Sequence, residues 1–318
     1  MIEISGLSKK YGSSYALKDL SLNISDGLIY GFLGPNGAGK STTMNIITGY
    51  ISATCGSVSV NGHDILAEPE EAKACIGYLP ETPPLYPEMT VYEYLRFAAE
   101  LKKIKRKDIK TQVESVMEMV ELKEVKDKLI RNLSKGFKQR TGMAQALLGD
   151  PDIIILDEPT VGLDPKQIIE IRDLIRSLKG KHTVILSSHI LSEVSAVCDR
   201  ILILSRGRLA AEGTPDELES MMHGDRELEL TVRGDREAVN HVLSEIEGIE
   251  SFEIKENGEK KSEDELDVTV RQREGSDIRD ILSLKLAERG VPVYKLKINE
   301  KSLEDIFLEL TEEQEVSL

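Results

Sequence analysis

The chain has 318 residues, 4% of them aromatic, three cysteines and a net charge of −15 at neutral pH, room for one large domain and a smaller one or for two of middling size. No apolar run approaches the roughly 20 residues of a membrane-spanning helix and Met1-Ile2-Glu3-Ile4 opens as a strand, so neither a span nor a signal peptide is expected. Cys55, Cys75 and Cys198 are far apart and outside any C-x-x-C pattern, which suggests neither a disulfide framework nor a zinc site and fits a reducing compartment. Residues 220–318 carry 14 Lys or Arg against 26 Asp or Glu, an acidic balance that argues against a nucleic-acid partner.

In chain order, Ile2–Leu7 reads as a strand and Lys9-Lys10-Tyr11-Gly12 as the turn that follows it. Tyr11 is either a turn residue without a partner or, upstream of a phosphate loop, a ring that stacks on a purine base. Ala16–Ser25 alternates, with Leu20, Leu22 and Ile24 on one face, and predicts a half-buried strand. Leu28–Leu33 is a short buried strand, and Gly34-Pro35-Asn36-Gly37-Ala38-Gly39-Lys40-Ser41-Thr42 at its end fits G-x-x-x-x-G-K-[ST] before a helix that runs to Gly49. This is a phosphate-binding loop. Its glycines let backbone N–H groups crowd round a polyphosphate, Lys40 reaches the β and γ phosphates, and the Ser41 hydroxyl can ligate Mg²⁺. Gly34, Asn36, Gly37, Gly39, Lys40, Ser41 and Thr42 are the nucleotide contacts it predicts.

Past the loop helix, Gly56–Val60 and Ile76–Glu81 read as strands, the second ending where Thr82–Pro87 breaks any helix. Thr90–Lys103 and Asp108–Glu121 then carry apolar residues at helical spacing, a helical insert over about residues 82–150 of an α/β domain. Ser134 is a natural N-cap for the next helix, and with Gly136 beside it that N-terminus is either a plain cap or a place for an anion. Asp152–Thr160 is a buried strand with Asp157 and Glu158 at its carboxyl end, where α/β sheets put chemistry. Two adjacent acids there are costly without a cation, and Mg-nucleotide supplies one: Asp157 would hold the Mg²⁺ shell and Glu158 would act as general base. Val161–Pro165 turns into the helix Lys166–Lys179. The strand His182–Leu186 then leads to Ser187-Ser188-His189, so His189 is either structural or a donor to a γ-phosphate. A hairpin over residues 200–211 and a helix from Thr214 close the first domain.

Residues 220–318 read as a βαββαβ unit, which fits a small ferredoxin-like α+β domain with a charged hairpin tip at Glu256–Glu265 and a last helix from Ser302. They hold no catalytic cluster.

By their order these motifs resemble the ATP-binding cassette (ABC) ATPases over about residues 1–219. Tyr11 falls where that family has its adenine-stacking aromatic, Gly34–Thr42 is similar to its Walker A loop, Leu133–Gln139 to its signature motif and Ile153–Glu158 to its Walker B strand. Leu163-Asp164 resembles its D-loop, and His189 its switch histidine. Two departures stand out: Glu81 replaces the family's usual glutamine, and Leu133-Ser134-Lys135-Gly136-Phe137 replaces LSGGQ. Such replacements, with Leu303–Leu310 near the end, resemble the bacterial exporter cassettes whose permease is separately encoded.

The resemblance implies an α/β P-loop NTPase fold, ATP and Mg²⁺ as cofactors, and a dimer with a second copy or a homologous cassette in which Ser134, Gly136 and Asp164 of one chain reach the nucleotide of the other. It implies that Glu81 joins Ser41 and Asp157 around Mg²⁺. It further implies an ATP-hydrolysing exporter subunit at the cytoplasmic face of the membrane, catalysing with Glu158, His189 and Lys40 and docked on a separate permease. The rival class is a cassette acting on ribosomes or DNA, whose tandem cassettes or long coiled coils this chain lacks. A kinase or GTPase is weaker still, since no N-K-x-D follows the loop.

Overall fold

Alternation of apolar and polar side chains builds the first sheet, and continuous burial builds the second. The structure, a computed structural model, describes residues 1–221, 227–256, 265–273 and 277–299, which divide into one unit of residues 1–215 and another that begins at residue 216.

In the first unit β1 (Ile2–Tyr11) buries Ile2, Ile4 and Leu7 and exposes Glu3 and Ser5, while β2 (Ser14–Ile24) buries Leu17, Leu20, Leu22 and Ile24. The Lys9–Tyr11 stretch continues β1 instead of forming the expected turn, because Tyr11 pairs with Ser14 and Lys10 with Tyr15 across a loop of only Gly12 and Ser13. Gly12 takes a φ of 59°, which a two-residue hairpin loop asks for and glycine supplies without steric cost. The buried strand β3 (Ile29–Leu33) leads into α1 (Lys40–Ile47), and β4 (Cys55–Val60) and β5 (His63–Asp64) complete an antiparallel sheet of order β2-β1-β4-β5.

Next come α2 (Pro69–Ala74), β6 (Ile76–Leu79) and the helices α3 (Val91–Leu101), α4 (Arg106–Met119) and α5 (Lys135–Leu147). All three of these last helices lie between β6 and the next strand of the chain. Thr90 caps α3 through a capping box with Glu93, and these hydrogen bonds hold the Glu93 carboxyl below the usual range. Then follow β7 (Ile153–Leu156), α6 (Pro165–Leu178), β8 (Thr183–Ser188), α7 (Leu191–Ser195) and the hairpin of β9 (Arg200–Ser205) and β10 (Arg208–Gly213), while α8 (Pro215–Met221) starts at the boundary and belongs to the second unit. The second sheet has the order β10-β9-β3-β8-β7-β6, with β9, β3, β8, β7 and β6 parallel. β3, β7 and β8 are buried along their whole length, as parallel strands covered on both faces are. One core joins the two sheets round α1, drawing on Ile4, Leu20 and Val58, on Phe32, Ile155 and Ile185, and on Met44 and Ile47 of α1. Each such fully buried side chain contributes about 1.5–3 kcal/mol. The short helices α2 and α7 have no counterpart in the sequence reading, since five or six residues are too few to show a period.

The second unit runs β11 (Glu227–Arg233), α9 (Arg236–Ser244), β12 (Ile249–Glu256), β13 (Glu265–Gln272), α10 (Arg279–Glu288) and β14 (Val293–Asn299). Its antiparallel sheet has the order β12-β13-β11-β14, and Leu228, Leu230 and Val268 form a core with Val239, Leu243, Leu282 and Leu286 of the two helices. Most of the expected hairpin tip, the last helix from Ser302 and the Leu303–Leu310 segment lie outside the described residues.

The helix α5 lies against β6 so closely that a side chain at Gly77 would meet the Ala146 carbonyl oxygen at 2.1 Å. Gly77→Val is expected to lower the stability of the first unit by about 1–3 kcal/mol, the usual cost of overpacking, read as a lower urea midpoint. A midpoint equal to that of the parent would contradict this packing.

Candidate phosphate-binding and catalytic site

Four neighbouring parallel strands end at one edge of the second sheet, and each delivers chemistry there. β3 ends in the phosphate loop, β8 in Ser187, Ser188 and His189, β7 in Asp157 and Glu158, and β6 two residues before Glu81. A cavity of about 410 Å³ at this edge is lined by Asn36, Gly37, Gly39, Lys40, Ser41 and Thr42, and by Glu81, Glu158 and His189. Sequence reasoning thus names nine of the residues that the fold brings together. Gly34 plays a different part: a side chain on it would meet the Leu204 carbonyl at 2.5 Å and Ala38 Cβ at 2.9 Å, so its bareness lets the loop pack on β9.

The electrostatics centre on two buried carboxylates, Asp157 and Glu158, only 4% and 7% exposed. Asp157 Oδ1 accepts from Ser187 Oγ at 2.6 Å and from Ser41 Oγ at 3.2 Å, both neutral donors. Glu158 lies between two cationic or ionisable groups, with Oε1 3.6 Å from Lys40 Nζ and Oε2 3.0 Å from His189 Nδ1. Lys40 Nζ also donates to the Gly34 carbonyl at 2.7 Å, which holds the ammonium across the mouth of the loop. Glu158 has a φ of 48°, in the left-handed region that non-glycine residues rarely enter, and its N–H donates to Ser187 Oγ at 2.8 Å. Strain of this kind persists where the surroundings fix a side chain for a task.

Among the described residues no group of three or more His, Cys, Asp or Glu is arranged to hold a metal alone. The hydroxyl of Ser41 beside the buried Asp157 carboxylate suits a hard cation that keeps most of its ligands from water and phosphate, as Mg²⁺ does. Burial raises the Tyr78 phenol above its ordinary value, with the charge of Asp157 adding to the effect, so Tyr78 stays a neutral donor to Asn45 Oδ1 at 3.1 Å.

Other predicted residues lie away from this cavity. Ser134 caps α5 by accepting from the Phe137 N–H, Gly136 packs against the Gln167 side chain, and Asp164 caps α6 by accepting from the Gln167 N–H at 2.9 Å. Tyr11 is 53% exposed, with Lys9 Nζ 5.1 Å from its ring centroid. The hairpin that carries it is pinned to the phosphate loop, because Lys18 N donates to the Gly207 carbonyl and Gly207 N to that of Ala38.

Sequence reasoning missed three groups. Ala16 lines the cavity, and only the fold reveals it. Glu193 on α7 accepts from Thr160 Oγ1 at 2.5 Å and Ser188 Oγ at 3.3 Å, tying the segment after Glu158 to the end of β8. Ser187 was readable only as part of a polar doublet after an apolar strand. It is fully buried and hydrogen-bonds both to Asp157 and to the Glu158 backbone. Ser187→Ala removes both bonds where water cannot replace them, and is expected to lower stability by about 1–3 kcal/mol in urea unfolding. An unchanged midpoint would show that Ser187 does not hold the two acids.

Comparison with known proteins agrees with this geometry. Residues 17–161 match the ABC transporter family. The chain is 34% identical to the linearmycin resistance ATP-binding protein LnrL of Bacillus subtilis (strain 168), over 98% of both chains. It is 35% identical to the bacitracin transport ATP-binding protein BcrA of Bacillus licheniformis, over 98% of this chain and 97% of that one. A dimeric ATP-binding cassette solved in a post-hydrolysis state with ADP and Pi superposes with a TM-score of 0.61 and 29% identity, over 67% of this chain and 98% of the other. With relatives that match it nearly end to end and a phosphate loop facing two buried strand-end acids, this chain belongs to the ABC transporter family as an ATP-binding subunit with ATPase chemistry.

Proposed function

We propose that this chain is the ATP-hydrolysing subunit of an exporter, which closes as a head-to-tail dimer around two Mg-ATP and drives a separately encoded permease from the cytoplasmic face of the membrane. The observation that carries the reading is a division within one chain: Lys40, Glu158 and His189 line the phosphate cavity, while Ser134 and Gly136 sit at a helix N-terminus that does not line it. A second chain is then the natural source of the missing donors. The relative solved as a dimer with ADP and Pi supports this arrangement, and the two full-length relatives named for linearmycin resistance and bacitracin transport support export. No helix among the described residues is long and apolar enough to cross a membrane, in keeping with a separate permease.

In this reading the loop N–H groups and Lys40 hold the β and γ phosphates, and Ser41, Asp157 and Glu81 face the Mg²⁺ side. Mg²⁺, when bound, would neutralise charge on the polyphosphate. Glu158, steered by Lys40 and His189, accepts the proton of the attacking water, and His189 donates to the γ-phosphate. Ser134 and the α5 N-terminus of the partner give the electrostatic help that an arginine finger gives elsewhere, worth about 10³–10⁵ in rate. Tyr11, exposed on a hairpin pinned to the loop, supplies the stacking surface for adenine. The cassette spans about residues 1–219 with its helical part near 82–150. The strand order of the second unit supports a ferredoxin-like reading of residues 220–318.

Affinity purification of the tagged chain from detergent-solubilised membranes of its own cell tests the reading. The expected result is a polytopic membrane protein recovered in stoichiometric amount. Ribosomal or DNA-processing proteins with no membrane partner would contradict it.

A further inference from the structure

Two of the three positions that depart from the ABC pattern, the charged Glu81 and Lys135, are 54 residues apart in the chain, by their numbers, yet line one cavity. It has a volume of about 320 Å³ and lies beside the phosphate cavity, with which it shares Glu81 and Val161 in its walls. Of the described side chains that line it, Glu81 is the one acid, and Arg131, Lys135 and Lys138 are the bases. Arg131 is already engaged, 2.9 Å from Glu88. Glu81 and Lys135 have no ion-pair partner among the described residues. The flexible four-carbon stem of Lys135 lets its ammonium reorient within this cavity.

Lys135 differs from Lys138 in where it sits. It occupies the first turn of α5, next to Ser134, and a side chain at Gly162 would meet its Nζ at 2.1 Å. Its ammonium therefore lies on the segment that joins Glu158 to Asp164. Two functional segments meet at this charge, the α5 N-terminus and the run after Glu158, and Glu81, just past β6, lines the same cavity.

We propose that Lys135 is a positioning residue that pairs with Glu81 as a charge latch within one chain. The proposal rests on the shared-site reading above. A carboxylate at position 81 adds negative charge beside a polyphosphate, where a glutamine would add none, and Lys135 offsets it. In pairing, it ties the loop that faces the chain's own nucleotide to Ser134, which faces the nucleotide of the partner. The two charged departures thus compensate each other.

A double-mutant cycle in ATP hydrolysis tests the latch. Lys135→Met keeps the stem and removes the charge, and is expected to raise KM for ATP and lower kcat, with Lys135→Arg restoring both. Glu81→Gln in the Lys135→Met background is expected to recover activity, a coupling of about 3-fold or more that fades as salt is raised. Effects that simply multiply, or coupling of Glu81 to Lys138 and not to Lys135, would overturn the proposal. ATP-dependent dimerisation of Glu158→Gln, followed by light scattering, separates the two levels. If that dimer forms and the cycle is additive, the latch alone fails; if it does not form, the shared-site reading fails and the latch with it.

Discussion

Asp157 and Glu158 end β7 inside the protein, and the remainder of the site answers to the cost of that placement. An isolated carboxylate taken from water into a protein interior is unfavourable by several kcal/mol, and two in succession repel each other as well. The fold offsets this from three directions at once: hydroxyls from Ser41 and Ser187 on Asp157, the Lys40 ammonium on one oxygen of Glu158, and the His189 ring on the other. These groups come from the start of α1, which β3 leads into, and from the end of β8, and they meet the acids that follow β7 only because the sheet is parallel and its order, β3-β8-β7, is not the chain order. Charge matching and topology are thus one constraint. The same arrangement leaves a pocket ready for the anionic end of a nucleotide and its cation.

Much of this was legible in the sequence because it depends on local patterns. The phosphate loop announces itself by glycine spacing and by the strand and helix on either side. Continuous apolar runs before Asp157 and His189 mark buried parallel strands, and a polar residue at the end of such a run is a site candidate on physical grounds alone. Ser134 was readable as a cap and accepts the N–H hydrogen bond that a cap accepts. Ser187, Glu193 and Ala16 were not legible in the same way. Their contribution is to bring distant segments together, and a hydroxyl that bonds a carboxylate 30 positions earlier leaves no periodic trace. The hairpin at Tyr11 failed for another reason, since a cross-strand pairing over a two-residue loop overrode the turn-like Lys9–Gly12 composition.

Glu81 and Lys135 show a further limit of reading by motif. Taken singly, each is a lapse from a family pattern and would lower expectations for the site. Seen in the fold they share a cavity and carry opposite charge, which is what two mutually supporting changes should do. Departures from a motif are therefore best judged in pairs, by whether the structure lets one compensate the other.

The central claim is that each nucleotide site is built from two chains, with the phosphate loop of one and the α5 N-terminus of the other. Mixing two inactive variants measures this directly. Lys40→Ala and Ser134→Arg should each abolish ATP hydrolysis as homodimers. A mixed dimer of the two places both lesions in one site and leaves the other intact. Recovery of hydrolysis on mixing, in proportion to the mixed dimer formed, is the result the account predicts. A mixture as inactive as its components, with mixed dimers demonstrably present, would contradict it.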